Sequence, residues 1–89
     1  MSSPKLLEQV RIVARLKHFS IKTEEAYGQW IKRLIFFHHK RHPLEMAETE
    51  IRQFLAHLAV NLKVSTSTQT LALSALLFLY RDVLKKDLP

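Results

Sequence analysis

Apolar side chains recur at three- and four-residue intervals in four successive blocks of this chain, and no alternating run is long enough to make a strand. That spacing sets the fold class as all-α. Ser3 and Pro4, a good cap and a good first helical residue, precede Leu6, Val10, Val13 and Leu16, so a first helix is predicted over residues 4–18. Ser20 caps a second, predicted over 21–40, with Glu24 and Glu25 in its first turn. Tyr27, Ile31, Leu34, Phe37 and His38 form its apolar stripe, with Trp30 alongside, and it is read as the central helix. Arg41-His42-Pro43 stops it, because a residue before proline is pushed out of the α region. A third helix is predicted over 48–62 around Ile51, Phe54, Leu55 and Leu58, and a fourth from a Ser65 cap to residue 84 or 85. The fourth carries Leu71, Leu73, Leu76, Leu79, Tyr80 and Leu84, apolar over so much of its circumference that it is either buried between the others or meets a partner. Gly28 sits mid-helix at a cost of about 1 kcal/mol relative to Ala, which points to a close neighbour, another helix or a DNA backbone. No internal repeat is evident.

Eighty-nine residues support one modest core, so residues 1–89 are read as a single domain. With 47% hydrophobic residues the chain is too apolar for a disordered tail. The absence of cysteine excludes disulfides and thiolate metal sites. The longest uncharged stretch, 64–80, carries hydroxyl and amide side chains through its first half and does not suit a bilayer span. Residues 1–4 lead directly into a charged amphipathic segment with no signal-peptide core, so the cytoplasm is the expected location and no membrane partner is expected.

Fourteen Lys and Arg against eight Asp and Glu give a net charge of +6, which favours a polyanion partner. The distribution sharpens this: no carboxylate occurs in 26–44 or in 51–81. Within the second acid-free stretch lies Ser65-Thr66-Ser67-Thr68-Gln69-Thr70, preceded by Lys63. A helix start that offers only neutral donors leaves its backbone N–H groups and positive dipole end open to a phosphate, and Gln69 has an amide suited to reading adenine. The alternative is a hydroxyl-rich cap of the kind any helical protein carries. Lys22 and Thr23 at the start of helix two repeat the pattern more weakly, because Glu24 and Glu25 would repel a phosphate. Arg33, Lys40 and Arg41 form a second tier of basic candidates for salt-sensitive contact, and Arg11, Arg15 and His18 are read as a solvated face. His38 and His42 have metal-ligand spacing but lack a third ligand, so no metal and no cofactor are expected. No nucleophile motif or glycine-rich loop is present, and Tyr27 and Tyr80 fall on apolar faces as core residues.

Together these blocks resemble integron integrases, a branch of the tyrosine recombinases. The resemblance is carried by Ser20-Ile-Lys-Thr-Glu-Glu-Ala-Tyr27 with Trp30, by Phe37-His38 with Arg41-His42-Pro43, and by Phe54-Leu55 with Leu58-Ala59. Lys63-Val64-Ser65 with Ser67-Thr68, and Ala72-Leu73-Ser-Ala-Leu-Leu-Phe-Leu-Tyr80 through Val83-Leu84 to Asp87-Leu88-Pro89, extend it over nearly the whole chain. It implies a compact four-helix SAM-like core-binding domain that forms one jaw of a clamp on recombination-site DNA, with helices two and four facing the major groove. Lys22, Thr23, Lys63, Ser65, Thr66, Ser67, Thr68 and Gln69 then become the expected DNA contacts. The partners implied are DNA and other recombinase protomers, in the bacterial cytoplasm at the nucleoid. The resemblance places the catalytic Arg/His/Lys set and nucleophilic tyrosine in a further domain after Pro89, so this chain is expected neither to cut nor to join DNA. Two departures are Ala47, where relatives often have a Ser or Thr cap, and Gly28. The competing class is a protein-interaction module that docks a partner through helix four.

Overall fold

The computed structural model describes residues 3–86, with side chains from Leu6 onward. Its four helices are α1 (Ser3–Leu16), α2 (Ile21–Phe37), α3 (Glu48–Ala56) and α4 (Thr66–Phe78), with a 3₁₀ turn at Pro43–Glu45 between α2 and α3. The last two widen into π turns, His57–Asn61 after α3 and Leu79–Val83 after α4. No strand occurs among the described residues. Ser3, read as a cap, is the first helical residue, its side chain lying outside those described, and Asp87-Leu88-Pro89 lie outside altogether.

Helix ends are earlier than apolar spacing predicts. α1 stops at Leu16, where the His18 and Phe19 amides turn back to donate to the Arg15 and Ala14 carbonyls. α2 stops at Phe37 rather than at residue 40 by the same device: the His39 and Lys40 amides donate to Phe36 and Ile35. This back-bonded ending needs a left-handed residue, usually glycine. The only glycine lies inside α2, so His18, His39, Lys40, Lys63 and Lys85 take positive φ instead. Each is a cationic or titratable side chain beside the negative end of a helix dipole, a placement that offsets part of the conformational cost.

Leu6, Val10 and Ala14 of α1, Trp30, Ile31, Leu34 and Ile35 of α2, Ile51 and Phe54 of α3, Leu58 and Met46 meet Ala72, Ala75, Leu76, Phe78, Leu79 and Tyr80 in one core. Centrality is shared: α2 packs on α1, α3 and α4, while α4 packs on α2 and α3 and meets α1 through its π turn. The broad apolar surface of helix four is therefore used inside the fold, and of its large apolar residues only Leu71 and Leu73 stay exposed, at 38% and 40%. Phe19, Tyr27 and Phe78 form an aromatic cluster, with Phe19 and Phe78 ring centroids 5.2 Å apart, so the start of α2 lies against the far end of α4.

α3 begins at Ala47, which supplies no side-chain cap. Glu50 compensates by accepting from the Ala47 amide at 2.7 Å, and that bond is the leading cause of a carboxyl held below its usual range.

Candidate functional site

α2 and α4 start identically. Ser20 and Ser65 are both extended, with φ/ψ of −65/157° and −67/162°. Each Ser Oγ accepts from the amide three residues on, Thr23 or Thr68, at 3.1 Å, and donates to that threonine's Oγ1 at 3.0 Å. Each is preceded by a left-handed residue and a half-buried apolar one, His18-Phe19 and Lys63-Val64. The weaker copy expected at the start of helix two is thus a local structural repeat of five residues, Ser20 to Glu24 and Ser65 to Gln69, with the same cap geometry in both.

The caps decide which donors remain free. A helix cannot pair its first N–H groups internally. In α4 the Ser65 side chain takes the Thr68 amide and the Ser65 carbonyl takes that of Gln69. The amides of Thr66 and Ser67 are left for an outside acceptor, as those of Ile21 and Lys22 are in α2. Lys22, Lys63, Ser65, Thr66 and Ser67 are exposed, while Thr23 and Thr68 are half-buried behind their caps.

Two expectations about charge change. Glu24 is only 8% exposed, its Oε1 2.6 Å from the Arg15 Nε and its Oε2 3.7 Å from that of Arg11. The α1 arginines, read as a solvated face, instead neutralise the carboxylate nearest the α2 cap, so its repulsion of a phosphate at Lys22 and Thr23 is weaker than its sequence position suggests. Gln69 also departs from expectation. Its amide turns inward, Nε2 donating to the Leu55 carbonyl at 2.9 Å, and its Oε1 is buried without a partner. It does not present that amide to solvent.

No hydrogen bond or ion pair among the described residues joins the two caps. Phe19 packs on Phe78, and Phe78 is twelve residues along α4 from Thr66, or ~18 Å at the helical rise. The second-tier candidates are partly committed elsewhere. The Arg33 guanidinium lies over the Trp30 ring, 4.7 Å from its centroid, and Lys40 lies 5.8 Å from that of Phe36. Arg41 donates to the Glu45 carbonyl and lies 3.7 Å from the Glu50 carboxylate.

The histidine pair is occupied by backbone. His38 is buried and its Nε2 donates to the Glu50 carbonyl at 2.8 Å, while His42 Nδ1 accepts from the Leu44 amide at 3.0 Å. Tyr80 is fully buried, donates to the Pro43 carbonyl at 2.7 Å, and burial pushes its hydroxyl up to about 12, as befits the core residue read from the sequence. An added Cβ at Gly28 would meet nothing within 4 Å, so no neighbouring helix explains it. It borders an open groove of about 660 Å³ together with Lys22, Lys32 and Arg11. Exposed apolar side chains also gather away from α4 at Phe36 and Leu62, 53% and 47% exposed, around a groove floored by Phe37 and Phe54. No helix of the described residues is long and apolar enough to cross a membrane.

A family model described as phage integrase, N-terminal SAM-like domain, matches residues 6–89. Two curated proteins, each named integrase/recombinase, one from Escherichia coli and one from Pseudomonas aeruginosa, are 46% identical over all 89 residues. The chain spans 26% of the length of each.

Proposed function

Because this chain belongs to the family of phage integrase N-terminal SAM-like domains, we propose that it is the core-binding domain of an integron-type tyrosine recombinase, gripping the sugar-phosphate backbone of a recombination site. The observation that carries this reading is the acid-free first turn of α4, where Ser65 caps the helix, Thr66 and Ser67 leave amides and hydroxyls exposed, and Lys63 stands just before them. Amides at a helix start bind phosphate without reading sequence. The matching turn of α2, with Lys22 and Thr23, supplies a second grip. Arg33 and Lys40 add diffuse positive potential, and Arg41 is the weakest candidate because its guanidinium is engaged by Glu45 and Glu50. Cleavage and strand exchange, contacts with other protomers, and residence at the bacterial nucleoid belong to the whole recombinase in this reading.

Titrating the isotope-labelled domain with a short DNA duplex tests it. Amide shifts are expected at residues 63–68 and at 22–23, with a dissociation constant of about 10⁻⁴–10⁻⁶ M and a steep loss of affinity with salt. Ser67→Asp is expected to weaken binding about tenfold, since a carboxylate there opposes a phosphate. Silence at low salt, or binding that ignores salt, would point instead to a protein partner at the Phe36 and Leu62 groove.

A further inference from the structure

The residue after each Ser-x-x-Thr cap is Glu24 or Gln69, and both turn back onto the preceding helix instead of facing outward with the cap. Glu24 holds Arg15, nine residues earlier; Gln69 holds the carbonyl of Leu55, fourteen residues earlier. Leu55 stands in the last turn of α3, immediately before the helix widens at His57. The connection from α3 to α4 is further tied by the Leu62 amide on His57 and the Val64 amide on Leu58. Beyond the apolar packing of α3 on α4, the Gln69 side chain adds a hydrogen bond that reaches past this connection into α4 itself.

Its bond is made at a cost. Gln69 Oε1 is the buried side-chain atom among the described residues that has no partner. A buried acceptor without a donor is destabilising and offsets part of what the bond to the Leu55 carbonyl contributes. A half-satisfied polar side chain in the interior is a local conflict of the kind expected at functional positions.

We propose that Gln69 is a positioning residue for the phosphate-binding turn: by anchoring the start of α4 to the Leu55 carbonyl it holds the free Thr66 and Ser67 amides in one orientation, without touching DNA itself. Glu24 is the equivalent brace on α2. This inference rests on the DNA-binding reading for its consequence, but the brace is a property of the free protein and can be measured there.

Gln69→Met removes both the donor and the orphaned acceptor, and Gln69→Leu repeats the test with a different apolar shape. In the free domain the expected result is a small change in Tm, because the orphaned acceptor is removed while the Leu55 carbonyl loses its donor, with faster hydrogen exchange of the hydrogen-bonded amides at 68–70. With a short DNA duplex, affinity is expected to fall about fivefold, the equivalent of one net hydrogen bond, while the slope of log K against log salt stays the same. Unchanged exchange at 68–70 would overturn the brace, whether or not the wild-type domain binds DNA. Unchanged affinity would overturn the positioning role, and a fall in affinity accompanied by loss of base preference would make Gln69 a reader of DNA.

Discussion

At the residue scale, the left-handed positions are the most direct target. His18 has a φ of 61° and is exposed at the end of α1. An L-residue in this conformation costs about 1–2 kcal/mol relative to its preferred basin, a cost glycine avoids. His18→Gly gives back part of that through greater freedom of the unfolded chain, leaving a gain of roughly 0.5–1 kcal/mol, or ~3–6 °C in Tm by calorimetry. A lower Tm would mean that the imidazole makes a stabilising contact with the helix end. Tyr80 sets the alkaline limit. Its hydroxyl is held protonated by burial, with Glu50 adding to the effect, so its native value of about 12 lies above the ordinary 10. The folded state therefore binds a proton that the unfolded state releases: the stabilisation is complete below pH 10 and is lost as pH rises from 10 toward 12. Urea midpoints measured across pH 9–12 should fall in that window, and Tyr80→Phe should flatten the fall while lowering stability at neutral pH by about 1–3 kcal/mol, because the Pro43 carbonyl loses its donor.

At the element scale, the starts of the helices were legible in the sequence and their ends were not. Ser20 and Ser65 are recognisable because a hydroxyl cap is a property of one residue and its next turn. The ends depend on which non-glycine residue accepts positive φ, and apolar spacing carries no information about that. The π turns at His57–Asn61 and Leu79–Val83 escaped for the same reason, since one added residue in a turn alters packing without altering composition. Gly28 is the element-scale test. It lies in the interior of α2 with open space beyond it, so Gly28→Ala should stabilise the free domain by about 0.5–1 kcal/mol, read from chemical denaturation. If the same variant also binds DNA more weakly, the close neighbour anticipated from the sequence is the DNA backbone; equal affinity would leave no role for the glycine at that surface.

At the scale of the whole molecule, one core holds all four helices, and its outer ties run between distant segments: Arg15 to Glu24, Lys17 to Asp82, His38 to Glu50, Gln69 to Leu55 and Tyr80 to Pro43. With each helix dependent on the others, the domain should unfold in one step. Trp30 fluorescence, reporting on α2, and far-ultraviolet circular dichroism, reporting on all helices, should give coincident thermal transitions. An early loss of ellipticity would instead show a helix that detaches by itself. What this sequence determined alone is the set of properties that reside in single residues and short periods: helical spacing gave four helices and no strand, the absence of acids in 51–81 marked the open start of α4, and residue blocks spread along the chain indicated the family. What only the tertiary structure decided is the set of properties that depend on distant partners. Glu24 becomes an ion-paired carboxylate because α1 brings Arg15 to it, Gln69 turns inward because α3 offers the Leu55 carbonyl, and most of the apolar surface of helix four is buried because the other three helices cover it. Charge and amide chemistry are written in the residue, but whether they face a ligand or the protein itself depends on what lies opposite, and that is settled by packing.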